Sequence, residues 1–119
     1  MMVDNQEKLL SELEKTNNLN EIQNYIKQVI DIRGLESQTV LENMLLLSEE
    51  VGELAKAIRK ETKSMSVDTE KLYNYDTIES EIADVFIVLN NISNKLNINI
   101  FDSLVKKERI NIKRMWKKN

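Results

Sequence analysis

Leu41-Glu42-Asn43-Met44-Leu45-Leu46-Leu47-Ser48-Glu49-Glu50-Val51-Gly52-Glu53-Leu54-Ala55-Lys56-Ala57-Ile58 carries the pattern that decides the fold. Leu41, Met44, Leu45, Ser48, Val51, Ala55 and Ile58 recur at three- and four-residue steps, the period of one helix face. They predict a helix from near Thr39 to about Glu61, with that face buried. Thr39-x-x-Glu42 supplies a capping box at its start. In such a box the hydroxyl accepts from one orphan amide and the carboxylate from another.

The same period extends upstream. Ile22, Tyr25, Ile26, Val29 and Ile30 form a one-sided stripe, which predicts a helix from near Asn20 to Arg33. Gly34 then stands where a left-handed C-cap belongs. A shorter helix with Leu9, Leu10 and Leu13 is expected over about Asp4 to Lys15, closed by the turn-like Thr16-Asn17-Asn18-Leu19-Asn20. Downstream, Lys63 to Tyr75 reads as a polar connection, and Asp76-x-x-Glu79 as the next cap. A fourth helix is expected over about Thr77 to Leu96. Its Val85-Phe86-Ile87-Val88-Leu89 run is apolar on every side, which suits a place at the centre of a bundle and in a dimer interface. Asn97-Ile98-Asn99 breaks the chain before a last helix from about Ile100 to Lys117.

Composition agrees. The 119 residues contain two glycines and no proline, too few turn formers for a β domain. The expectation is one all-α domain, a helical bundle with two motif helices packed antiparallel and completed by dimerisation, its core over about residues 20–117. Cysteine and histidine are both absent, which removes Cys–His and Ser–His nucleophile pairs, Cys/His zinc sites and Glu-x-x-His di-iron bundles. A metal here is held by oxygen, which favours Mg2+, Mn2+ or Ca2+. No stretch is apolar for the roughly 18 residues that a spanning helix needs, so no membrane partner is expected. The polar, acidic Met1-Met2-Val3-Asp4-Asn5-Gln6-Glu7 is unlike a signal peptide, and the expected location is the cytoplasm.

Two helices carry candidate chemistry. Glu50 and Glu53 share a face of the third helix, and Glu81 and Asp84 share a face of the fourth. Asp84 has apolar neighbours on both sides, where an unpaired carboxylate is costly to bury and a shared divalent cation removes that cost. Antiparallel packing brings Glu50, Glu53, Glu81 and Asp84 together. Mg2+ fits such a group because it keeps waters and is completed by substrate phosphates. The plainer reading is a charged face, with Glu53 paired to Lys56 and Glu49 in water. Gly52, mid-helix among these acids, leaves room for a metal, water or phosphate, or else permits close helix packing.

Val105 to Asn119 holds seven basic residues and one acidic, Glu108. Lys107, Asn111 and Arg114 fall on one stripe of the expected last helix and can hold phosphate oxygens. A solvated basic face near a helix C-terminus explains them equally. Trp116 can stack on a base or serve packing.

The run Leu47 to Lys60, followed by Glu81-Ile82-Ala83-Asp84-Val85, resembles the MazG-like nucleotide pyrophosphohydrolases of the all-α NTP pyrophosphatase superfamily. Their EExxE…ExxD signature matches Glu49, Glu50, Glu53, Glu81 and Asp84. Lys107-x-x-x-Asn111-x-x-Arg114-x-Trp116 is similar to their closing pattern, and the resemblance spans about Ile22 to Trp116. It implies an enzyme that cleaves the α–β phosphoanhydride of nucleoside triphosphates to the monophosphate and pyrophosphate with Mg2+ or Mn2+. It implies Glu50, Glu53, Glu81 and Asp84 as metal ligands and Glu49 as the group that orients or deprotonates water. Lys107, Asn111 and Arg114 would contact phosphate or sugar. It further implies a homodimer or homotetramer and a housekeeping role on the nucleotide pool. Gln38, Leu41, Glu42 and Leu45 are candidates to face the base or an interface.

Two other classes compete with that enzyme. One is a helical homodimeric interaction module whose carboxylates are surface charge. The other is nucleic-acid binding through the basic last helix, which the acidic body and the lack of interleaved aromatics oppose.

Overall fold

The computed structural model describes residues 2–62 and 77–115. Among them are five helices and no strand: α1 (Met2–Leu13), α2 (Leu19–Ile32), α3 (Val40–Thr62), α4 (Ile78–Lys95) and α5 (Ile100–Ile112). The all-α expectation holds. The expected polar connection at residues 63–75, the Asp76 cap and Trp116 lie outside the described residues. The chain divides into two compact units, one from Met1–Leu35 and Ser93–Asn119, the other Glu36–Ile92.

In the first unit, α2 packs against α1 and α5. Ile26, Val29 and Ile30 of the α2 stripe are buried, and Ile22 and Tyr25 are half-buried. Asn18 caps α2, its side chain accepting from the amides of Asn20 and Glu21. Gly34, at φ 73°, ends it as expected. The Leu35 amide reaches the Ile30 carbonyl at 3.0 Å and the Gly34 amide reaches Asp31 at 3.0 Å, the paired bonds of a Schellman motif. Asn97, at φ 54°, ends α4 in the same way, with the Ile98 amide on the Ser93 carbonyl at 2.8 Å. Asn99 then caps α5 by accepting from the Asp102 amide. Buried Gln23 ties the junction together. Its Nε2 donates to Asn94 Oδ1 and the Ile98 carbonyl, and its Oε1 accepts from the Ile100 amide.

The last helix is shorter than expected. α5 stops at Ile112, where the amides of Lys113 and Arg114 bond three residues back instead of four. The cause is lack of burial. Ile110, Ile112 and Met115 are 50%, 80% and 100% exposed, so little apolar contact offsets the entropy of further turns.

In the second unit, α3 begins with the expected capping box. Glu42 N–H donates to Thr39 Oγ1 and Thr39 N–H to Glu42 Oε1, both at 3.0 Å. Its buried side is not the expected one. Asn43 and Ala57 are buried, whereas Leu41, Met44, Leu45, Ser48, Val51, Ala55 and Ile58 are exposed. Leu45-Leu46-Leu47 puts apolar side chains on adjoining faces, so two stripes compete. The one through half-buried Leu46, Leu47 and Leu54 is covered within this chain. The apolar run of α4 is only partly covered: Val88 is buried, Val85, Phe86 and Ile87 are half-buried, and Leu89 is exposed.

Candidate metal centre

Glu50 lies nearly three turns into α3. Glu81 lies in the first turn of α4 and Asp84 one turn later. The start of α4 suits carboxylates, because its unpaired amides and aligned peptide dipoles favour negative charge. Thr77 Oγ1 satisfies one of those amides, that of Ser80, at 3.2 Å. α3 runs antiparallel to α4 in this unit. Asn43 near the start of α3 meets Asn91 near the end of α4, with Asn91 Nδ2 donating to Asn43 Oδ1 at 2.9 Å.

That pairing brings three carboxylates together. One oxygen from each of Glu50, Glu81 and Asp84 lies within 4.8 Å of the others. Glu81 is 3% exposed, and Glu50 and Asp84 are half-buried. Oxygen ligands about 2.1 Å from one Mg2+ stand about 3 Å apart when adjacent and about 4.2 Å when opposite. The 4.8 Å bound on the three oxygens is slightly wider than the Mg2+ limit, so the carboxylates would draw in by a few tenths of an ångström around that ion, and a donor set of carboxylates alone suits Mg2+, Mn2+ or Ca2+.

The remaining acidic residues of the motif stand apart from this group. Glu53 is half exposed, and its Oε1 accepts from Lys56 Nζ at 3.4 Å. Glu49 is exposed. Gly52 is helical, and a Cβ added to it would meet nothing within 4 Å among the described residues, so close packing among those residues does not explain it. Lys107 and Asn111 lie on α5, exposed and half-buried. Arg114 lies beyond the end of that helix, so the expected three-residue helical stripe is not formed. Of the residues considered for a base or an interface, Glu42 has one carboxylate oxygen engaged in its cap, Leu41 and Leu45 are exposed, and Gln38 is half-buried. Two residues about two turns from the acids on the same two helices are not marked by the sequence, the buried Asn43 and Asn91.

An all-α chain with three carboxylates converging from two antiparallel helices belongs to the class of proteins able to hold a divalent cation through oxygen. Residues 38–114 match the MazG nucleotide pyrophosphohydrolase domain, and the chain belongs to that family. The match is narrower than the Ile22–Trp116 span of the resemblance and includes both acidic helices. No curated protein and no solved structure matches the chain. No helix among the described residues is long and apolar enough to cross a membrane.

Proposed function

We propose that this chain is a Mg2+-dependent nucleoside triphosphate pyrophosphohydrolase, with Mn2+ as the alternative ion. It would cleave the α–β phosphoanhydride of ribo- or deoxyribonucleotides to the monophosphate and pyrophosphate. The observation that carries this reading is the convergence of Glu50, Glu81 and Asp84 in a chain of this family. When bound, a divalent ion supplies an activated water and neutralises charge on the phosphate oxygens.

Glu50, Glu81 and Asp84 form the ligand core. Glu53, one turn past Glu50, is the fourth ligand: its exposed ion pair with Lys56 is worth roughly 0–1 kcal/mol, so exchanging Lys56 for a cation costs little. Glu49 orients or deprotonates the attacking water, and its exposure leaves it open to solvent for exchange of a proton. Lys107, Asn111 and Arg114 are assigned to phosphate or sugar oxygens. That assignment rests on their chemistry and on the family's closing pattern.

The chain is proposed to act as a homodimer or homotetramer in the cytoplasm and to clear unwanted nucleotides. The exposed apolar stripe of α3, with Leu41 at 71% and Leu45 at 63%, supports assembly. The deciding experiment measures pyrophosphate release from a panel of nucleoside triphosphates with Mg2+ and with Mn2+, wild type beside Glu50→Gln. Monophosphate and pyrophosphate from the wild type alone support the proposal. No release from any nucleotide by folded wild-type protein rejects it.

A further inference from the structure

Asn43 and Asn91 are 1% and 5% exposed, and they join α3 to α4 by a side-chain bond of 2.9 Å. The orientation of Asn43 is set from its own helix. Its Nδ2 donates to the Thr39 carbonyl at 2.9 Å, which leaves Oδ1 as the acceptor that Asn91 uses. Thr39 is itself held by the capping box with Glu42. The bond therefore connects a braced point on α3 to α4.

Its place in the sequence gives it a consequence. Asn43 stands seven residues before Glu50, and Asn91 seven residues after Asp84. Seven residues are close to two helical turns, so each asparagine shares a face with its carboxylate, about 10.5 Å along the axis. In an antiparallel pair, the register that lets Asn43 meet Asn91 is the register that lets Glu50 meet Asp84. A slip of one turn, about 5.4 Å, parts both pairs at once. An amide pair inside a helix interface resists such a slip, because a slipped amide is left buried without its partner. Apolar side chains tolerate sliding far better. A single polar layer sets register in coiled coils by the same physics.

We infer that the Asn43–Asn91 hydrogen bond is a positioning device that holds α3 and α4 in the register bringing Glu50 to Glu81 and Asp84. The inference rests on the metal-site reading above. The pair touches neither substrate nor ion, and it acts through the carboxylates.

The test is the affinity for Mn2+ alone, without nucleotide, followed by paramagnetic resonance of the free ion well below each protein's melting temperature. The Asn43→Leu, Asn91→Leu double variant replaces the amides by apolar groups of similar volume. It is expected to melt at or above the wild-type temperature while binding Mn2+ at least tenfold more weakly. Asn91→Ala removes the donor alone and is expected to weaken binding similarly. Val29→Ala, in the core of the other unit, controls for stability and is expected to bind as wild type does while melting lower. Affinity within twofold of wild type in the double variant overturns the inference and leaves the metal site standing. So does weakening in Val29→Ala that matches the asparagine variants. Failure of both asparagine variants to fold makes the pair a determinant of folding instead, which also overturns it. Absence of Mn2+ binding by the wild type removes the metal-site reading, and the inference with it.

Discussion

Glu53 pairs with Lys56 at 3.4 Å, on the same helix as Glu50 but outside the group that Glu50 forms with Glu81 and Asp84. Both partners are about half exposed, with side chains 52% accessible for Lys56 and 48% for Glu53. A pair of that kind contributes roughly 0–1 kcal/mol. Lys56→Ala is therefore expected to lower the melting temperature by no more than a few degrees and to leave Mg2+ affinity equal or higher. Glu53→Gln is expected to weaken Mg2+ several-fold. Calorimetric titration of both variants distinguishes the roles. Unchanged Mg2+ affinity in Glu53→Gln would leave the ion pair as the whole function of that carboxylate.

Asp84 offers the cleanest separation of chemistry from folding, because its side chain is half-buried and Asn has nearly its shape. A ligand present at 100 times its dissociation constant stabilises the folded state by about 2.7 kcal/mol. In a chain of this size that corresponds to a rise in melting temperature on the order of 10 °C. Wild type is expected to show that rise with Mg2+. Asp84→Asn is expected to melt within a few degrees of the metal-free wild type, to show no rise, and to lose at least 100-fold in turnover. An Asp84→Asn protein that still responds to Mg2+ would take this residue out of the ligand set.

What the sequence made legible follows the range of the interactions concerned. Gly34, Asn97 and the Thr39–Glu42 box were readable because each solves a problem within one turn of its own helix. The acidic spacing was readable too, since Glu81 and Asp84 sit one turn apart on any helix. The end of α5 was not, because no glycine or proline follows Ile112 to mark it and the stop comes from missing burial. The buried side of α3 is not fixed by periodicity, for a related reason. Three consecutive leucines satisfy two faces, and the partner decides between them. Nothing in the sequence singles out Asn43 and Asn91, because their burial depends on residues nearly fifty positions away.

Gly52 is helical with open space where a side chain would go. Alanine there gains about 1 kcal/mol in helix propensity with no clash among the described residues. Gly52→Ala is thus expected to raise the melting temperature by a few degrees, measured by circular dichroism. A fall would mean that another chain, or a part of this one outside the described residues, packs against this position and needs it bare.

Leu41, Met44, Leu45, Val51 and Ile58 leave one side of α3 apolar and exposed, and Ile82 and Leu89 do the same on α4. Burying a leucine side chain is worth roughly 1.5–3 kcal/mol, so covering this surface is a strong drive to self-association. Sedimentation at micromolar concentration is expected to show a dimer or a tetramer. Replacing Leu41 and Leu45 by glutamate should shift it to monomer, since each introduced carboxylate would have to be desolvated in the interface. The variant's helix content should stay near wild type, because both positions are exposed in the single chain. A wild-type protein that sediments as a monomer at every concentration would rule out self-assembly through this face.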